Sequence, residues 1–266
     1  MTAPPCTLHY VDVGSNRGDS LKQFVAKQPD EQLRRMLDAA LPAWSPQSTC
    51  VHAFEPNTRW TRTLESVNRS LAPYVATLNI HLGTAMMTGS ATEARLSDKW
   101  SRNKYSEGAS VAVGFEGHGK VKVARVKAAN MVHFFRTLPW PSLPIVVRLD
   151  VEGMEYKLLR ALAVSGLGAS RRLFVAVEWH RFLKHRALEG REKALMERFD
   201  LSFGHFNRAP KALPPKVTGE WGKGDGASSV MENYEKILAF MLAAANITLA
   251  EHPMLNATRD ELGSVA

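Results

Sequence analysis

Cysteine is almost absent from this chain of 266 residues, which has only Cys6 and Cys50. The two form no CxxC pair and no metal-ligand spacing, so a cysteine-based metal framework is not expected. Both stand where strands are expected to begin, and both are expected as reduced thiols in the core. Long apolar runs are also missing. The most apolar stretch, residues 237–245, is far too short to cross a bilayer, and no membrane span is expected. The first residues show no basic segment followed by an apolar one, so no signal peptide is expected. The sequons at Asn68, Asn246 and Asn256 then carry little weight. A cytoplasmic, reducing setting follows from these absences. Acidic residues are outnumbered, 26 to 34, for a formal charge of +8. The basic residues are spread along the chain, which favours a solvated surface over a nucleic-acid groove. No internal repeat is evident, and no linker divides two cores.

What is present is an alternation of strands and helices. Residues 8–13 read as a buried strand feeding a helix at 19–27, with a second helix at 31–40. Residues 49–54 read as the next strand, 58–70 as helix and 75–82 as a third strand. Residues 83–119 are polar and glycine-bearing, read as loops and short edge strands. The period of two at Lys120-Val121-Lys122-Val123 marks a half-exposed strand, and its slip at Ala124 suggests a bulge. A short helix at 130–137 precedes a nearly all-apolar strand at 145–149, then a helix at 152–164 and a strand at 172–179. Beyond it, 187–199 and 229–245 read as helices, with strands at 201–206 and 247–250. Such alternation predicts an α/β fold: a mostly parallel sheet with helices on both faces. It is read as one domain with an insertion at 181–227, whose Pro, Gly and Lys content fits a mobile lid.

Chemistry-bearing residues fall at the expected strand ends. After the first strand comes Asp12-Val13-Gly14-Ser15-Asn16-Arg17-Gly18. Gly14 and Gly18 permit a tight turn and close approach of a ligand to the backbone. The helix that follows offers free N–H groups to a carboxylate, and Asp12 or nearby carbonyls suit an amino group. Glu55, ending the second strand, can accept hydrogen bonds from both hydroxyls of a ribose; the alternative is a helix-start acid next to Pro56. The turn lacks the GxGxxG that pyrophosphate packing wants, which favours S-adenosylmethionine over NAD. Asp150 and Glu152 follow the strand at 145–149, where they can orient a methyl acceptor; helix capping is the plain alternative for Glu152. Glu178 and His180 end the next strand, and a histidine there is a natural general base for a hydroxyl. Asp, Glu and His at strand tips make only a loose metal pattern, and no metal is expected.

Four segments together resemble the FkbM family of methyltransferases. They are Val11–Gly18, then Ala53-Phe54-Glu55-Pro56-Asn57, then Leu149-Asp150-Val151-Glu152-Gly153-Met154-Glu155-Tyr156, then Val177-Glu178-Trp179-His180. Gly108-Ala109-Ser110-Val111 is a weaker match. The resemblance covers about residues 8–180. It implies a Rossmann-like class I methyltransferase fold and S-adenosylmethionine as donor. The implied reaction is O-methylation of a hydroxyl on a sugar or small natural product. By position, Asp12, Gly14, Asn16 and Gly18 would hold the methionine end and Glu55 the ribose. Ala85 would lie near the adenine, and Asp150 and Glu152 would line the reacting edge. The sequence departs from the simplest crossover: 43 positions separate Asp12 from Glu55, against roughly 20. Residues after His180 match no family segment, and they would shape the acceptor pocket.

The expected partner is a small-molecule or carbohydrate acceptor, with His180 as base and Asp150 orienting it or the acceptor. An RNA methyltransferase is the alternative, favoured by Arg102, Lys104, Lys120, Lys122, Arg125 and Lys127. It lacks an Asn/Asp-Pro-Pro-Tyr motif and an aromatic platform for stacked bases. A non-catalytic cofactor-binding or interaction domain is a further alternative.

Overall fold

The computed structural model describes residues 5–98, 122–151, 154–178, 243 and 245–249. The elements in chain order are β1 (Leu8–Val13), α1 (Asp19–Val25), α2 (Glu31–Ala40), β2 (Thr49–Glu55), α3 (Thr61–Leu71) and β3 (Thr77–Leu82). Then come β4 (Thr84–Met87), β5 (Glu93–Asp98), β6 (Lys122–Asn130), α4 (Met131–Thr137) and β7 (Ile145–Leu149). The last are α5 (Glu155–Val164), α6 (Leu167–Ser170), β8 (Leu173–Val177) and β9 (Ile247–Leu249). Six strands form a sheet in the order β3-β2-β1-β7-β8-β9, and every neighbouring pair is parallel. This is the α/β, Rossmann-like arrangement that the alternation predicts, with β1 and β7 flanking the point where strand order reverses.

The sheet's two faces divide by residue parity. Leu8, Tyr10, Val51, Ala53, Val146 and Ala176 face one core with buried residues of α1, α2 and α3. The α2 helix shows why it settles there. Leu33, Met36, Leu37 and Ala40 fall at helical spacing on one buried stripe. Asp30 starts the helix by accepting the Leu33 N–H at 2.9 Å. On the opposite face Phe134 of α4 sits edge-on to His52 and Phe54, at ring separations of 5.3 and 5.0 Å. Helices therefore cover both faces.

A second sheet, β4-β6-β5, is inserted between β3 and α4. It has its own small core of Ala85, Ala94, Leu96 and Val126. The β5–β6 register runs unbroken from Glu93↔Lys127 to Asp98↔Lys122, so the bulge expected at Ala124 is not formed. The segment read as loops and edge strands thus holds two paired strands.

The expectation of two free thiols is also corrected. Cys6 and Cys50 form a disulfide, with Cα atoms 5.5 Å apart. The physical reason is parallel pairing. Leu8 stands opposite Thr49 and His9 opposite Cys50, which brings residues 44 apart in sequence to one sheet end. Free thiols therefore no longer support the cytoplasmic expectation. No helix among the described residues is long and apolar enough to cross a membrane. The insertion at 181–227, the helix read at 187–199, the strand read at 201–206 and all but residues 243 and 245 of the helix read at 229–245 lie outside the described residues.

Three histidines, His9, His52 and His81, line the α4 face of β1, β2 and β3. Burial pushes the His52 ring down to about 3, with the neighbouring His9 and His81 adding to the shift. A histidine held neutral in the fold contributes stability that is full above about pH 6.5 and is lost as pH falls toward 3. We expect denaturant midpoints to drop between pH 7 and 4.5, and to drop less in His52→Phe. An equal drop in the variant would remove His52 from the acid response.

Candidate functional site at the carboxyl ends of the parallel strands

β1, β2, β7 and β8 all point their carboxyl ends to one edge, where open α/β sheets bind ligands. The turn after β1 is fixed by the backbone. Gly14 and Ser15 donate N–H bonds to the Phe54 carbonyl at 3.0 and 3.1 Å, extending the β1–β2 pairing past the strands. Gly14 has φ +92°, and a Cβ there would collide with the Asp150 carbonyl oxygen. Only glycine lets the β1 turn pass so close to the end of β7. Gly18, at φ +80°, caps α1 and lies against Leu64 and Val67 of α3. Asn16 also has positive φ, at 49°, which asparagine tolerates better than most residues. Its Oδ1 is buried and has no hydrogen-bond partner among the described residues.

Glu55 closes the other side of that turn. Its two carboxylate oxygens accept the N–H groups of Asn16 and Asn57, each at 2.7 Å. The residue is only 6% exposed. Burial pushes the carboxyl up to about 7, against the two N–H groups, which favour its charge. Each carboxylate oxygen still has a lone pair to offer.

Arg148 organises the acids, and sequence reasoning missed it inside a strand read as apolar. Its guanidinium meets Asp150 at 2.9 Å, Glu178 at 3.2 Å and Asp12 at 3.5 Å. Burial works against its charge, yet Asp12 and Asp150 beside it hold the guanidinium protonated beyond its ordinary range. Asp12 is completely buried and also accepts the Ser20 hydroxyl at 2.6 Å. It therefore anchors Arg148 and α1. Asp150 keeps 22% side-chain exposure and Glu178 58%, so these two carboxylates reach the rim. A lone arginine in a buried strand needs countercharges. Acids at the tips of flanking strands are the signal that could have exposed it.

The structure thus gathers Asp12, Gly14, Asn16, Gly18, Glu55 and Asp150 around the turns after β1, β2 and β7. Ala85 lies in β4, three positions past the end of β3, opposite Ala128 and in the core of the second sheet. Glu152 and His180 lie outside the described residues, as do Arg102, Lys104 and Lys120 of the basic cluster. Comparison of the chain with family models, curated proteins and solved structures finds no match in any of the three.

Replacing Arg148 by methionine leaves Asp12 buried with its charge unpaired, and losing one partner of a buried pair costs about 3–5 kcal/mol. We expect Arg148→Met to unfold at correspondingly lower denaturant, and Arg148→Met/Asp12→Asn to recover part of that loss. Additive losses in the double variant would show that the two groups are not coupled.

Proposed function

We propose that the chain is an S-adenosylmethionine-dependent methyltransferase of class I fold, acting on a hydroxyl of a sugar or other small natural product. The observation that carries the reading is the cradle between β1 and β2. It combines a turn at Gly14 with no room for a Cβ, the unpartnered buried Oδ1 of Asn16, and the buried carboxyl of Glu55. Those residues belong to the segments that resemble the FkbM family, and they fit the cofactor chemically. The Oδ1 of Asn16 would accept from its amino group, and Glu55 would accept both ribose hydroxyls. Bound there, the cofactor supplies a methyl group already activated on a sulfonium.

The chain's own contribution is then mostly positioning, which can supply about 7–11 kcal/mol. Arg148 fixes the Asp150 carboxylate at the rim, where it orients the acceptor hydroxyl. His180 takes the hydroxyl proton. Asp12 acts behind them by holding Arg148.

The decisive experiment is thermal shift with S-adenosylmethionine, S-adenosylhomocysteine and NAD. A ligand at 100 times its dissociation constant adds about 2.7 kcal/mol. We expect both adenosyl compounds to raise the melting temperature of the wild type and to lose that effect in Glu55→Ala. Stabilisation by NAD alone, or by none of the three, would refute the reading.

The raised pKa of Glu55 adds a second expectation. Ribose donors favour the charged carboxylate, so affinity should rise with pH up to about 7 and stay flat above it. Calorimetric titrations in buffers of different ionisation enthalpy should show proton release below pH 7, absent in Glu55→Gln. For the base, His180→Ala should bind cofactor normally and turn over about 10²–10⁴-fold more slowly. Full turnover would remove His180 from that role.

A further inference from the structure

At the amino end of the sheet, opposite the crevice, a second constellation stands outside the proposed chemistry. Cys6, His9 and Cys50 are all buried, and their ligand atoms lie within 4.8 Å of one another. His9 Nε2 is 3.0 Å from the Pro139 carbonyl oxygen. A carbonyl can only accept, so Nε2 carries the proton and Nδ1 carries the lone pair. That Nδ1 has no partner among the described residues, although the His9 side chain is wholly buried. Anchoring one ring nitrogen on a carbonyl and leaving the other with its lone pair free is how proteins orient a metal-ligating histidine. Arg171 acts electrostatically on His9 and is 7% exposed. Among the described residues its guanidinium donates to the carbonyls of Leu138 and Arg136, at 2.6 and 3.1 Å, and its Nη1 has no partner. A buried cation served by carbonyls leaves room for an anionic neighbour.

We propose that reducing the Cys6–Cys50 disulfide opens a three-coordinate site for a soft monovalent metal ion, Cu(I), held by the two thiolates and His9 Nδ1. Thiolates select Cu(I) or Zn(II) among common metals. Zn(II) in a closed site takes four ligands, whereas the described residues offer three. One Cu(I) with two thiolates leaves a single negative charge, which the Arg171 guanidinium complements. The redox step is balanced by a dithiol reductant. Two electrons and two protons pass to the disulfide, giving two thiols, while the dithiol closes to its own disulfide. Both thiols release their protons to solvent as the ion binds. The cysteines are 1% and 3% exposed, so reduction is slow and depends on transient opening at the amino end of the sheet. The 44 positions between the cysteines hide this site from any spacing rule.

The test uses the full chain under anaerobic conditions, oxidised and dithiol-reduced, with Cu(I) supplied from a chromophoric chelator. The reduced protein should withdraw one equivalent of Cu(I) and keep its circular dichroism. Bound Cu(I) should protect both thiols from alkylation, read by intact mass. The oxidised protein should withdraw none, and this comparison needs no mutation. Cys50→Ser should abolish high-affinity uptake, and His9→Gln should weaken it at least tenfold. Equal uptake by oxidised and reduced protein would overturn the proposal. So would uptake unaffected by Cys50→Ser, tighter retention of Zn(II) than of Cu(I), or loss of the fold on reduction. None of these readouts involves methyl transfer, so failure here and failure of the proposed function are separable.

Discussion

The guanidinium of Arg148 is the group on which the carboxyl edge of this sheet depends. Three neighbouring parallel strands bring acids to that edge, and without a cation between them Asp12, Asp150 and Glu178 would repel one another. Arg148 meets all three within 3.5 Å. It also makes the complete burial of Asp12 tolerable, because a buried carboxylate without a partner is far too costly to retain. The bond from Ser20 to the same carboxylate then ties the start of α1 to the centre of the sheet. Charge compensation, strand order and the position of the first helix are therefore one arrangement.

Glycine supplies the complementary constraint. The β1 turn passes so near the end of β7 that Gly14 has no space for a Cβ beside the Asp150 carbonyl. Arg148 stands directly opposite Asp12 in the β1–β7 register. Glu55, held by two backbone N–H groups, sits on the far side of the turn, where burial pushes its carboxyl up to about 7. The amino end of the sheet is built differently: it carries a disulfide beside the buried His9, and its chemistry is soft where the other end is ionic.

Much of this was legible in the residues. The alternation of apolar strands with amphipathic helices is a local property, and β1, β2, β7 and β8 fall within a residue or two of their expected positions. The acids at strand ends were legible because a polar residue closing an apolar run marks where a strand leaves the core. Arg148 was missed because one charge inside such a run looks like an interruption, and its meaning depends on strands 136 positions away. Ala85, placed near an adenine by resemblance alone, lies just past β3 in the core of a second sheet that the polar, glycine-bearing segment concealed.

The sequence by itself determined the α/β class, the strand ends that bear acids, and the glycine turn. Those features follow from hydrophobic period and backbone freedom, which act over a few residues. Only the tertiary structure decided that Cys6 meets Cys50, that Asp12 serves Arg148, and that the strands run β3-β2-β1-β7-β8-β9. Each of these is a pairing between distant segments, set by parallel register and by the need to compensate charge once water is excluded.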